Sequence, residues 1–156
     1  MKYTDLRNTI KTGDVLAFTH KSWKSWYDIK VQLVRFFTQS EYSHVGIAWC
    51  ANDRVFIMES VTGGVRIVPL SKFLPCYHLS MPELTKEQIE KAFSVMGEPY
   101  SQWQAVQAFF GRNNNKDNKW ECAEFVTVVA DLYCKATPTA VVDYCLSAGA
   151  TLTKIE

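Results

Sequence analysis

Two stretches of strict alternation separated by a turn constrain this chain more than any other feature. In Ser43-His44-Val45-Gly46-Ile47-Ala48-Trp49, residues Val45, Ile47 and Trp49 point one way and His44, Gly46 and Ala48 the other. In Val55-Phe56-Ile57-Met58-Glu59-Ser60-Val61, residues Val55, Ile57, Glu59 and Val61 share a side. A period of two is that of a β-strand, whose successive side chains project to opposite faces. Ala51-Asn52-Asp53 supplies turn residues between them, so the pair reads as an antiparallel hairpin. The first strand is bulky on one face and nearly bare on the other, which lets something pack very close to the bare side.

The hairpin brings two chemically active side chains together. Any even-numbered loop makes the numbers of opposed residues sum to an odd value, and opposed residues share a face. His44 and Glu59 therefore lie on one face. A two-residue loop at Ala51-Asn52 puts them directly opposite; a four-residue loop ending at Arg54 makes them diagonal neighbours. Glu59 stands between Met58 and Ser60 in an apolar strand, where an unpaired carboxylate would cost on the order of several kcal/mol. It needs a partner, and His44 is in reach. Set against this are the readings of His44 as a satisfied core histidine and Glu59 as a charge at a strand edge.

The rest of the chain supplies elements around this hairpin. Gly13-Asp14 reads as a turn entering a short buried strand at Val15-Leu16-Ala17-Phe18. Lys21 to Thr38 carries apolar residues at Trp23, Trp26, Tyr27, Leu33, Val34, Phe36 and Phe37, the spacing of an amphipathic helix broken near its middle. Thr62-Gly63-Gly64 forms a second turn, Val65 to Leu70 a further strand of the same meander, and Cys76-Tyr77-His78-Leu79 a fourth. Thr85 with Gln88 three residues later is a capping box that opens a helix running to about Met96 and ending at Gly97. A short helical stretch from Tyr100 to Phe110 and a polar Asn113 to Asn118 loop follow.

Cys122 stands where that polar tract gives way to Phe125, Val129 and Leu132, the three-to-four spacing of a buried helical stripe. The predicted helix runs to about Cys134 and breaks before Pro138, and Ala140 to Leu146 forms a last one. A thiol in the first turn of a helix feels the partial positive charge of unpaired N–H groups, which favours thiolate. A cysteine is also among the most buried residue types, so Cys122 alone reads more readily as a small core residue.

Composition narrows the function classes. A chain of 156 residues with 47% hydrophobic and 21% charged residues fits one soluble domain, residues 1–156. A net charge of +1 with scattered lysines and arginines offers no phosphate-binding face, which argues against nucleic acid as a partner. Five irregularly spaced cysteines without a Cys-x-x-Cys pair fit reduced thiols rather than a disulfide frame or a zinc site, so no metal or other cofactor is expected. The N-terminus has no apolar core of a signal peptide and no run long enough to span a bilayer, which makes a cytoplasmic location the expectation. The Trp23 to Phe37 helix could touch a membrane surface, but its polar face lacks the dense Lys and Arg of an interfacial helix, and an aromatic stripe is more often core.

A thiol, an imidazole and a carboxylate are the parts of a cysteine acyl-transfer site. The imidazole titrates near neutral pH and can hold the thiol's proton and return it to a leaving group, while a carboxylate on its far nitrogen orients it. Cys122, His44 and Glu59 supply these parts.

The succession of Gly13-Asp14-Val15-Leu16, Tyr42-Ser43-His44-Val45-Gly46-Ile47, Val55 to Ser60 with its glutamate, Gly64-Val65-Arg66-Ile67-Val68-Pro69-Leu70 and Cys122-Ala123-Glu124-Phe125-Val126 resembles the circularly permuted branch of the NlpC-type papain-like cysteine hydrolases, the YiiX-like proteins of bacteria and viruses. In unpermuted relatives the cysteine helix precedes the histidine strand; here it follows. The resemblance implies an α+β fold, an antiparallel β-meander or half-barrel packed against a helix that carries the nucleophile. It further implies Cys122 as nucleophile, His44 as general base and acid, Glu59 as the orienting third member, and Tyr100 lining the pocket or the oxyanion hole. Ala123 and Ser101 stand where the family often has serine and aspartate, which alters hydrogen bonding near the nucleophile without removing a triad member. The implied activity is hydrolysis of an amide or ester in a small-molecule, lipid-like, N-acyl or cell-wall peptide substrate through a thioester. The alternative is a catalytically silent binding or inhibitory protein on the same fold, plausible for a viral source.

Overall fold

The computed structural model describes residues 1–19, 41–99 and 121–156. The predicted aromatic helix from Trp23 to Phe37, Tyr100 with the stretch to Phe110, and the Asn113 to Asn118 loop lie outside the described residues. The strands are β1 (Val15–Phe18), β2 (His44–Ala51), β3 (Arg54–Val61), β4 (Gly64–Pro69), β5 (Cys76–Leu79) and β6 (Leu152–Ile155). The helices are α1 (Tyr3–Leu6), α2 (Lys86–Ser94), α3 (Cys122–Val129) and α4 (Pro138–Ser147).

One antiparallel sheet runs in the order β4-β3-β2-β1-β5-β6. The alternation of β2 and β3 forms the expected hairpin, closed by Asn52 and Asp53 at φ 48° and 57° with Ala51 opposite Arg54. Two successive positive φ angles give a turn whose twist matches that of the flanking strands. The register is the one that makes His44 and Glu59 diagonal rather than opposite, but the loop is Asn52-Asp53 and two residues long.

The fourth strand of the expected meander sits elsewhere. β5 pairs with β1, on the far side of the hairpin from β4, and β6, which the sequence pattern did not suggest, pairs with β5. Buried Asp14 anchors this arrangement: its carboxylate accepts the backbone N–H of Lys11 at 2.8 Å and of Met81 at 2.9 Å, and its Oδ2 lies 2.6 Å from His78 Nε2. The chain entering β1 and the chain leaving β5 are thereby tied to one side chain. A carboxylate out of water is tolerable only with such partners.

The sheet separates two apolar clusters. On one face Val15, Ala17, Val45, Ile47, Met58 and Leu79 pack with Ala123, Phe125, Val126 and Val129 of α3 and Val141, Val142 and Cys145 of α4. The bulky side of β2 is thus the side that receives the cysteine helix. Phe125 is fully buried, a contribution of about 1.5–3 kcal/mol from area removed from water. On the other face Leu16, Ala48, Val55, Ile57, Leu70, Cys76 and Ile155 pack with Leu6 and Ile10. The bare side of β2 is filled by its own neighbour: a Cβ at Gly46 would lie 2.6 Å from Ile57 Cδ1 and 2.8 Å from the Met58 carbonyl oxygen.

α3 is shorter than the apolar stripe predicts, ending at Val129 instead of about Cys134. Asp131 adopts φ 53° and the Leu132 N–H returns to the Thr127 carbonyl at 2.9 Å, a left-handed stop that satisfies a terminal carbonyl. From α2, Lys91 reaches Asp131 at 2.8 Å and the Val128 carbonyl at 3.0 Å, and Gln88 reaches Asp131 at 2.9 Å. The helix therefore ends where a neighbouring element holds its last turn. α2 carries the expected capping box, Thr85 and Gln88 each bonding the other's N–H, but stops at Ser94. α4 begins at Pro138, where a missing N–H costs nothing, with Thr137 as cap.

Candidate active site

Cys122 is the first residue of α3, His44 the first of β2, and Glu59 lies in β3; Tyr100 is outside the described residues. The last ladder pair between β2 and β3 is Ile47 with Met58, so His44 and Glu59 stand beyond it, where the two strands are held by their outer neighbours instead. His44 is opposite Phe18 of β1, and Glu59 is opposite Arg66 of β4. Phe18, His44, Glu59 and Arg66 thus form a row across four strands.

The polar contacts along this row are short. His44 Nε2 lies 2.6 Å from Glu59 Oε2. The other carboxylate oxygen, Oε1, accepts Arg66 Nε at 2.9 Å and Nη2 at 2.8 Å. Glu59 is buried, with both oxygens engaged. Burial alone would raise its pKa, but the His44 and Arg66 contacts outweigh it and hold the carboxyl below its usual value. The His44 ring packs tilted against Phe18 at 5.7 Å between centroids.

The N-terminal turn of α3 sets the Cys122 side chain close enough to His44 to act on the charge of its ring. Because Nε2 is taken by Glu59, Nδ1 is the ring nitrogen left for the sulfur. Burial works against a charged ring here, yet Cys122 and then Glu59 more than compensate and push the imidazole up to about 10. The electrostatics thus favour imidazolium beside the Glu59 carboxylate. The other four cysteines are also unpaired thiols, and burial pushes each of them up, Cys76 and Cys145 to about 12. Burial thus holds these four in the thiol form.

Of the three residues expected from sequence to act together, His44 and Glu59 are hydrogen-bonded, and Cys122 stands at the start of the helix near the same ring. Two further groups escaped the sequence reading. Arg66 was legible in principle: a two-residue loop at Thr62-Gly63 sets Val61 opposite Gly64 and hence Glu59 opposite Arg66. Glu121, the residue before the cysteine, is buried at the helix N-cap, and its Oε1 has no hydrogen-bond partner among the described residues. Burial, and the adjacent Glu124, push its carboxyl up to about 8. Nothing in the sequence pattern marks that carboxyl as buried.

Among the described residues no group of three or more His, Cys, Asp or Glu side chains is placed to hold a metal ion, and no helix is long and apolar enough to cross a membrane.

Residues 10–138 match the family model of the permuted papain-like amidase enzymes, the YaeF/YiiX, C92 family. Among solved structures, the chain is similar to the metalloprotein yiiX from Escherichia coli O157:H7, with a TM-score of 0.55 and 24% sequence identity over 77% of this chain. It spans 64% of the length of that protein, and the likeness is one of fold. The α+β arrangement of an antiparallel sheet against the cysteine-bearing helix is the permuted papain-like fold. No curated protein matches the sequence.

Proposed function

This chain belongs to the permuted papain-like amidase enzymes of the YaeF/YiiX, C92 family, and from that premise we propose that it is a cysteine hydrolase that cleaves an amide or ester bond through a thioester on Cys122. The observation that carries this reading is the 2.6 Å contact of His44 Nε2 with Glu59, with Cys122, the first residue of α3, acting on the same ring. The permuted order, histidine strand before cysteine helix, fits the NlpC-type branch of the papain-like enzymes.

The chemistry follows from the geometry. The Cys122 thiolate attacks the substrate carbonyl carbon, forming a C–S bond and moving the carbonyl π electrons onto oxygen. Backbone N–H groups of the first helical turn are proposed to stabilise that oxyanion, with Tyr100 assisting. His44 gives its Nδ1 proton to the departing amine or alkoxide as the C–N or C–O bond breaks, which leaves a thioester and a neutral imidazole. The imidazole then takes a proton from water as the water attacks the thioester, and the C–S bond breaks with sulfur leaving as thiolate, which restores the thiolate–imidazolium pair on release of the acid. Glu59 keeps the ring oriented and stabilises its cationic form throughout.

The substrate class proposed is a lipid-like, N-acyl or cell-wall peptide small molecule. The aromatic weight of the sequence from Trp23 to Phe37 favours an acyl or lipid-like group. The first test is the rate of Cys122 alkylation against pH, read by intact mass, in wild type and His44→Ala. Fast modification that persists below pH ~7 and slows in His44→Ala supports an activated pair and justifies a panel of esters, lipids and acyl-peptides. An ordinary thiol profile near pH ~8.5 in both proteins would remove the hydrolase reading and leave a silent binding protein on this fold.

A further inference from the structure

Glu59 has two duties that a free carboxylate meets badly. It must remain ionised although buried, and it must keep one oxygen aimed at His44. Both depend on what occupies its other oxygen. A carboxylate out of water with one partner is driven toward the protonated form, and a protonated Glu59 would no longer stabilise an imidazolium.

We propose that Arg66 is a positioning residue of the site, acting on His44 through Glu59; the proposal rests on the reading of Cys122 and His44 as the reacting pair. Arg66 Nε and Nη2 both donate to Oε1, at 2.9 and 2.8 Å, so the guanidinium grips one oxygen and leaves Oε2 for His44 Nε2 at 2.6 Å. Charge-assisted bonds from two fixed N–H vectors define the carboxylate's position as a single contact would not. The register of β3 and β4 supplies the alignment, since Glu59 and Arg66 are directly opposed. Arg66 is itself steadied by Phe73, whose ring centroid lies 5.8 Å from the guanidinium carbon. Phe73 follows the short 3-10 turn Leu70–Lys72, so the return of the chain after β4 sets the arginine.

The arginine is not simply a structural ion pair. Its side chain is 45% exposed while that of Glu59 is 4% exposed, so the charge that enters the interior is the one that faces His44. A pair serving stability alone would gain little from a half-solvated cation. Here the exposed cation ionises a buried anion, and the anion in turn holds the ring.

The test uses the full chain and iodoacetamide, a neutral probe that does not report the arginine's charge directly. Second-order alkylation of Cys122 is measured against pH in wild type, His44→Ala, Glu59→Gln, Arg66→Met, Arg66→Lys and the Glu59→Gln/Arg66→Met double variant, with circular dichroism on each. Arg66→Met is expected to slow alkylation at pH ~6.5 by about 5- to 10-fold and move the profile toward that of an ordinary thiol. Arg66→Lys, which keeps charge but loses the two-pronged grip, is expected to recover part of the rate. In the Glu59→Gln background Arg66→Met is expected to change the rate less than about twofold, because the group it acts through is gone. An Arg66→Met profile identical to wild type, or an equal loss with and without Glu59, overturns the proposal. Should Arg66→Met fail to fold, the Arg66→Lys profile decides it, and a wild-type profile there is the overturning result. If His44→Ala itself leaves alkylation unchanged, the catalytic reading fails and takes this proposal with it; fast alkylation that needs His44 but ignores Arg66 removes this proposal alone.

Discussion

His44 and Glu59 meet at 2.6 Å although no ladder pair joins their positions. They lie past the end of the β2–β3 ladder and are placed from outside, His44 by pairing with β1 and Glu59 by pairing with β4. The contact is therefore a property of four strands, and substitutions in any of them bear on it.

Cys122→Ala is expected to abolish turnover while costing about 1 kcal/mol of stability or less, since a small residue replaces a small one. Hydrolysis of an acyl substrate and a urea melt read the two quantities. Residual turnover in this variant would move the nucleophile elsewhere.

Glu59→Gln keeps the shape but replaces the anion, so it is expected to lower turnover by about 10²-fold, the lower end of what acid–base assistance contributes. The measurement is kcat on the same substrate. Full activity would show that another residue orients His44.

The His44 imidazole is raised from the ordinary 6.5 to about 10, so the folded protein holds that proton more tightly than the unfolded chain. The associated stabilisation is full below pH 6.5 and is lost as pH rises through about 10. The difference in Tm between wild type and His44→Ala is expected to shrink across that window. Acylation of amide substrates should fall over the same upper limb, because the leaving amine needs the imidazolium proton.

Glu121 shows the same sign from a different cause. Burial, reinforced by Glu124, raises its carboxyl to about 8, so the protonated acid is the favoured folded form and stability declines as pH rises from 4.5 through about 8. Glu121→Gln removes that ionisation. It is expected to raise Tm by a few degrees, roughly the shift of a 1 kcal/mol change, at pH ~9 and by much less at pH ~5. Equal shifts at both pH values would mean that Glu121 gains solvent or a partner in solution.

Gly46→Ala places a methyl group 2.6 Å from Ile57 and 2.8 Å from a backbone carbonyl, and only the first of these can move away. A loss of about 1–3 kcal/mol is expected in chemical denaturation, with slower Cys122 alkylation as β2 shifts against β3. Unchanged stability would show that the two strands separate more easily than their packing implies.

Local pattern in the sequence determined strands β1 to β5, the faces of β2 and β3, and the starts of α2 and α3. Alternation at 43–49 and 55–61 put His44 and Glu59 on one face because side-chain direction in a strand is set by residue parity alone. The capping box at Thr85 and the onset of the stripe at Cys122 likewise depend on neighbours in the chain. Tertiary structure decided what depends on distant neighbours. β5 joins β1 because Asp14 gathers N–H groups and His78 from separate segments, and α3 stops at Val129 because Lys91 and Gln88 hold Asp131 in its left-handed turn. The same holds at the site. A thiol, an imidazole and a carboxylate can be listed from the sequence, but their contacts, and the arginine behind the carboxylate, exist only where helix and strand ends converge.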